Sequence, residues 1–330
     1  SCAYFLALAG FKVSVFEAKS TAGGMASGVI PQFRLTDVAI SNDIDRVKAL
    51  GVHVRFNYPV DLDKFNKLKN EHDYVYIAAG AQKSAQLNIP GMNTTGVLDP
   101  LVLLDNVKKG KSNQVGNNVV IVGGGNTAMD VARTVFRLVG ENGKVTIVYR
   151  RTIKEMPADL GEIRAVMQEG VEILELIAPE KVIAKNGKIT AFQCSRMKLG
   201  DRDKSGRRSP VKIEGSEFEI ETDTLIPAVG QDIAFDFGFG KILSVASGTY
   251  ETEMPNVFMG GDALRGASTA INAIGDGRKI AQLIIDRENI DFQTKPNNLR
   301  EPQSVEWHVQ NRALILEGTH AKETPAIDRW

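Results

Sequence analysis

The chain has 330 residues, with 40 Lys and Arg balanced by 40 Asp and Glu, 43% hydrophobic and 24% charged. That length points to about two folding units, and the balanced charge gives no basis for a nucleic-acid partner or a strongly acidic substrate. The longest apolar runs, such as Asn118 to Val122, fall far short of the ~20 residues of a membrane span, and no basic leader opens the chain, so the expectation is a cytoplasmic protein without a membrane anchor.

Cys2 and Cys194 are the only cysteines. Without a CxxC pair they argue against a disulfide scaffold, a zinc site, a bound iron–sulfur cluster or a redox-active dithiol. His53, His72, His308 and His320 lack metal-ligand spacing, and no metal is expected.

In chain order, Cys2 to Gly10 reads as a helix ending in glycine, and Lys12 to Glu17 as the strand after it. In a dinucleotide fold the acid at the end of that strand accepts the adenosine ribose hydroxyls, which suits FAD at Glu17 and Ala18. Residue 1 already falls inside what reads as the first helix of such a unit. The expectation is therefore a fragment whose first strand and pyrophosphate loop lie upstream, with FAD retention in doubt. Further on, Gly23-Gly24, Gly123-Gly124-Gly125, Gly260-Gly261 and Gly275 to Gly277 mark places where backbone turns or approaches something closely.

The most informative stretch is Asn118 to Asp130, where a β-branched run suited to a strand buried on both faces meets glycine and then a helical pattern at Ala128, Val131, Ala132, Val135 and Leu138. Gly123, Gly125 and Ala128 form the GxGxxA version of the dinucleotide fingerprint in strand–turn–helix context, with Asn126 and Thr127 opening the helix. Amides at that helix start are placed to hold a pyrophosphate. The next strand, Lys144 to Tyr149, ends in Arg150 and Arg151 where an NAD site would place an acid. Paired guanidinium groups suit the 2′-phosphate of NADPH. Two arginines capping a solvated loop is the plain alternative.

Lys198 to Ser216 reads as an exposed loop between strands at Ile189 to Met197 and Phe218 to Leu225. Asn256 to Asp262 then gives a strand, two glycines and an acid, followed by a helix through Ala281 that Ser268 or Thr269 caps ahead of Ala270. Asp262 could accept from a ribityl hydroxyl, and the helix start could face the flavin pyrimidine edge. From residue 290 a polar, proline-bearing tail reads as a linker, or as a docking helix over Val305 to Leu316.

Ala22 to Met25 with Ile30 to Leu35, Asp73 to Gly80, the second fingerprint, Tyr149 to Ala158 and Val257 to Ala281 come in an order that resembles the glutamate synthase small-subunit family. That group includes the flavin and NADPH domains of dihydropyrimidine dehydrogenase and proteins assigned as selenate reductase subunits. The resemblance covers residues 1 to about 289. It departs at Ala79, where the family often has threonine, and at Thr36, where proline commonly follows.

The resemblance implies an α/β fold of two Rossmann-like dinucleotide-binding domains. The FAD domain comprises residues 1–86 and 228–289, the NADPH domain is inserted at 87–227, and 290–330 forms a tail. Glu17, Gly23, Gly24, Met25, Ala79, Gly80, Gly261 and Asp262 then border FAD, and Gly123, Gly125, Asn126, Thr127, Arg150 and Arg151 border NADPH. Arg34 is placed with the cofactor contacts, a structural ion pair being the equal alternative. The implied function is hydride transfer from NADPH to FAD and onward transfer to iron–sulfur centres or a large partner subunit, with no catalytic side chain. The alternative is a truncated NADPH-binding or partner-docking module without turnover. A dithiol reductase is set aside because Cys2 and Cys194 lie in different domains of this layout.

Overall fold

The structure, a computed structural model, describes residues 1–203, 206–233, 243–245 and 249–294. Helix α1 (Cys2–Leu8) leads into β1 (Ser14–Phe16), α2 (Gly24–Gly28), α3 (Asp37–Ala49), β2 (His53–Arg55), α4 (Leu62–Glu71), β3 (Val75–Ile77) and β4 (Lys83–Ser84). Next come α5 (Pro100–Lys108), β5 (Asn118–Val122), α6 (Asn126–Val139), β6 (Lys144–Tyr149), α7 (Leu160–Gln168) and β7 (Glu172–Glu175). Four strands follow, β8 (Ile177–Lys185), β9 (Lys188–Arg202), β10 (Arg208–Lys212) and β11 (Phe218–Glu221). The described chain closes with β12 (Thr224–Pro227), β13 (Gln231–Asp232), β14 (Val257–Met259), α8 (Asp262–Arg265) and α9 (Ala270–Arg287).

The central sheet is parallel, in the order β12-β5-β6-β7. Its strands alternate, as a period of two demands. Val119, Ile121, Val145 and Ile147 pack with Leu101 and Leu104 of α5, Ala128 to Val135 of α6 and Val166 of α7. Val120, Val122 and Val148 pack on the opposite face against Phe192 and Cys194 of β9. Burial on both faces explains why β5 is apolar from Val119 to Val122. The result is three layers: helices, parallel sheet, and the antiparallel sheet of β8 to β11.

The flanking segments pair with one another across the chain. β1 is parallel to β2, β14 is parallel to β3, and β13 is antiparallel to β4, so residues after 228 return to those before 87. Helix α1 packs on α9, and Cys2 joins Phe258, Ile280, Ala281 and Ile284 in a separate core. A side chain at Gly277 would come within 2.9 Å of the Cys2 nitrogen, so that glycine serves close helix packing.

Three readings change. Lys198 to Ser216 is mostly strand, because β9 continues to Arg202 and pairs with β10. Phe218 to Leu225 is two strands in two sheets: the Asp223 carboxylate accepts from the Asn117 and Asn118 amides and Thr222 Oγ1 donates to the Asn118 carbonyl, breaking the run where it crosses between sheets. Leu138 is exposed at the far end of α6. From residue 295 the expected tail, with its helix over Val305 to Leu316, lies outside the described residues.

Candidate functional site

The turn after β5 is shaped by two glycines that no other residue could replace. At Gly123 φ is +146°, and a Cβ would lie 2.1 Å from the Ala228 carbonyl oxygen. At Gly124 it would lie 2.6 Å from the Tyr149 ring. Gly125 is the reverse case: nothing stands within 4 Å of its Cβ position. It is also the N-cap of α6, which has no side-chain cap, whereas Thr36, Asp61, Asp99, Asp159 and Thr269 cap α3, α4, α5, α7 and α9. An uncapped 14-residue helix with open space before its positive end has the chemistry that suits an anion. Ala128 is fully buried and lets α6 seat closely on the sheet.

The segment after β6 is tied to this turn. Ala158 N–H donates to the Gly124 carbonyl at 3.2 Å, and Asp159 N–H donates to Asn126 Oδ1 at 2.9 Å. Tyr149 donates to the Glu155 carbonyl at 2.9 Å, and Thr152 and Glu155 form a capping box. Thr127 Oγ1 accepts from Gln231 Nε2 at 3.1 Å, which links α6 to the return segment.

The expected arginine pair is split. Arg150 is exposed, with no hydrogen-bond or ion-pair partner among the described residues. Arg151 is buried, donating from Nε to the Arg208 carbonyl and from Nη2 to Asp203, both at 2.7 Å.

Arg34, for which a cofactor contact and a structural ion pair are equal readings of the sequence, spans to α6 and α7, where it meets Asp130 at 2.8 Å and Glu162 at 3.0 Å. Arg133 joins Glu162 and Glu169, Arg137 joins Glu169, and the Phe33 ring lies 4.5 Å from both guanidinium groups. Asp130 is buried, and burial pushes its carboxyl up to about 6 despite Arg34.

The other edge gathers the remaining expected residues. Glu17 Oε1 accepts from the Lys19 amide, and Ala18 is exposed beside it. Gly23 (φ +105°) and Gly24 (φ +56°) turn the chain into α2, and Met25 packs on the central core. Gln82, which sequence reasoning did not single out, accepts from Lys19 Nζ at 3.1 Å, donates to the Ala79 carbonyl at 3.3 Å and lies against the Gly24 and Gly80 backbone. β14 pairs with β3 up to Met259 and Ile77, so Gly261 and Asp262 leave a strand end next to the one that leads to Ala79 and Gly80.

Asp276, also missed, is 3% exposed in α9; it accepts from the Gly261 amide and the Tyr250 hydroxyl, both at 2.9 Å, and from Arg265. A carboxylate on an otherwise apolar helix face was the available signal. Asp262 Oδ1 is buried without a partner among the described residues, and burial pushes its carboxyl up. Thr269 caps α9 by accepting from the Asn272 amide, Ser268 Oγ accepts from Asn272 Nδ2 at 2.8 Å, and Ala270 opens the helix. An orphaned acceptor beside glycine turns fits a hydroxyl-rich ligand such as the ribityl chain of FAD.

Cys2 and Cys194 are free and buried, and burial pushes both thiols up to about 12. Among the described residues no helix is long and apolar enough to cross a membrane, and no cluster of three or more His, Cys, Asp or Glu could hold a metal.

Two glycine-turned strand edges, one opening an uncapped helix and one presenting an unpaired carboxylate oxygen, define an oxidoreductase of the class that uses FAD and NADPH. The chain belongs to the pyridine nucleotide-disulphide oxidoreductase family, whose pattern matches residues 1–277. It is 38% identical over 292 residues to the NADP(+)-dependent formate dehydrogenase subunit beta of Moorella thermoacetica, spanning 85% of this chain and 41% of that protein. It is 33% identical over 296 residues to the glutamate synthase [NADPH] small chain of Azospirillum brasilense, spanning 83% of this chain and 61% of that protein. The resemblance read from the motifs therefore holds. The chain spans less than half the length of the first curated relatives it matches. In fold it is similar to FprA of Mycobacterium tuberculosis in complex with NADPH, with a TM-score of 0.70, 19% identity and coverage of 90% of this chain and 85% of that one.

Proposed function

We propose that this chain is the electron-entry unit of a larger enzyme, taking reducing equivalents from NADPH onto FAD and passing them to an iron–sulfur centre or a partner subunit. The observation that carries the reading is the uncapped α6 behind Gly123 to Gly125, with the exposed Arg150 at the end of the neighbouring strand. The bound nucleotides supply the hydride donor and acceptor; the protein's residues hold and orient them. Residues 87–227 form the NADPH unit, inserted between 1–86 and 228–289, the two parts of the FAD unit.

In this reading, the first amides of α6 hold the NADPH pyrophosphate, and Arg150 gives its 2′-phosphate charge-assisted hydrogen bonds that a ribose hydroxyl cannot use. Glu17 accepts from the FAD adenosine ribose, and the free Asp262 oxygen from its ribityl chain. The positive end of α9, behind Ser268 and Thr269, favours negative charge on the adjacent ring edge. No side chain is required to move a proton or attack.

Several relatives are named as beta subunits or small chains, which supports a partner. Cytoplasmic location is part of the same proposal. The test is steady-state oxidation of NADPH by the FAD-supplemented chain with ferricyanide as one-electron acceptor. Turnover that requires FAD and prefers NADPH to NADH supports the reading. Binding of NADPH without FAD-dependent turnover would reduce the chain to a nucleotide-binding or docking module.

A further inference from the structure

The β9–β10 hairpin reaches back to the strand end where the adenosine of NADPH is proposed to lie. Beyond the end of β9, Asp203 N–H donates to the Arg207 carbonyl at 2.7 Å, Gly206 N–H donates to the Asp203 carbonyl at 2.9 Å, and Asp203 Oδ1 accepts from the Arg207 amide at 3.3 Å. The Arg208 guanidinium folds back onto the Gly200 and Leu199 carbonyls. Asp203 and the Arg208 carbonyl take two donors of Arg151, whose side chain is 6% exposed, while the Arg151 carbonyl accepts from the Leu176 amide at 3.1 Å. Arg150, one residue earlier, remains exposed.

A guanidinium recognises phosphate through a flat fork of donors, so its orientation decides how well it does so. An arginine free to swing loses side-chain entropy on binding; one held at Nε and Nη2 has already lost it. The Asp203 carboxylate also offsets part of the charge of Arg151, the residue that follows Arg150. The hairpin thus sets both the direction and the local charge of Arg151.

We infer that Asp203, just after β9, is a positioning residue for the discrimination of NADPH from NADH, acting by fixing Arg151 next to Arg150 in the chain. The inference rests on the proposal that NADPH binds at this strand end. It gives a remote hairpin, with no place in the dinucleotide fingerprint, a part in choosing the cofactor.

The test is fluorescence titration of the full chain with NADPH and with NADH, for wild type and the Asp203→Ala, Asp203→Asn, Asp203→Glu, Arg151→Ala and Arg150→Ala variants, with thermal melting run alongside. Asp203→Ala is expected to lower the NADPH:NADH affinity ratio about tenfold with NADH binding unchanged. Arg151→Ala should do the same, the double variant should be no worse than Arg151→Ala alone, and Asp203→Glu should recover most of the loss. The nearly isosteric Asp203→Asn gives the same reading if Asp203→Ala does not fold.

An unchanged ratio in folded Asp203→Asn, or tighter NADPH binding once Arg151 is released, overturns the inference. A wild-type chain that binds neither nucleotide overturns the functional reading itself, which separates the two failures.

Discussion

Asp130 offers a prediction whose sign is contrary to the usual view of ion pairs. Its carboxylate lies 2.8 Å from Arg34, yet burial outweighs that attraction and moves its pKa from the ordinary 3.8 up to about 6. The folded protein therefore holds this proton more tightly than the unfolded chain, and Asp130 contributes most stability below about pH 4, losing it as pH rises through about 6. At ~1.4 kcal/mol per pH unit the ionised group costs at most roughly 3 kcal/mol at neutral pH.

Asp130→Asn removes that cost and keeps an acceptor for Arg34, which retains Glu162 at 3.0 Å. Allowing for the lost charge on one side of Arg34, the variant is expected to be about 1–2 kcal/mol more stable at pH 7.5, with the gain vanishing near pH 4. Urea unfolding of both proteins across that range reads the difference directly. A variant less stable at neutral pH, or a difference that grows towards acid, would refute the reasoning.

Other perturbations give distinct signatures. Gly123→Ala places a methyl group 2.1 Å from the Ala228 carbonyl at a φ of +146° and should cost more than about 3 kcal/mol, seen as a large drop in melting temperature. Glu169→Ala leaves Arg133 and Arg137 without their shared buried carboxylate and should cost about 3–5 kcal/mol in chemical unfolding. Asp262→Ala removes an Oδ1 that has no partner among the described residues and a carboxyl otherwise met by the Ser268 amide, so it should leave the melting temperature of the FAD-free chain within a few degrees while weakening FAD binding about tenfold. A melting temperature that falls further with Asp262→Ala would give that oxygen a structural role instead.

The sequence was most legible where the pattern is local. The strand from Asn118 to Val122, buried from Val119 on, the glycine turn, and the apolar face of α6 at Ala128, Val131, Ala132 and Val135 are set within a few residues, and the structure has them as read. Thr269 was legible as a cap for the same reason. What escaped depends on partners distant in sequence: Gln82 reaches Lys19 across 63 positions, Gln231 reaches Thr127 across 104, and Asp203 reaches Arg151 across 52. Arg151 looked the equal of Arg150 because nothing adjacent reveals that a hairpin folds back onto it. The Phe218 to Leu225 run likewise looks continuous, since the break at Thr222 and Asp223 is made by hydrogen bonds to Asn117 and Asn118. Arg34 was ambiguous from the outset, and its two carboxylates come from elements that local periodicity cannot bring to it.

The measurement that tests the account most directly is the visible spectrum of the FAD-loaded chain under anaerobic conditions, followed after addition of NADPH and, separately, NADH. The account predicts loss of the oxidised-flavin absorbance with NADPH, faster than with NADH. Bound FAD whose spectrum NADPH leaves unchanged would contradict it.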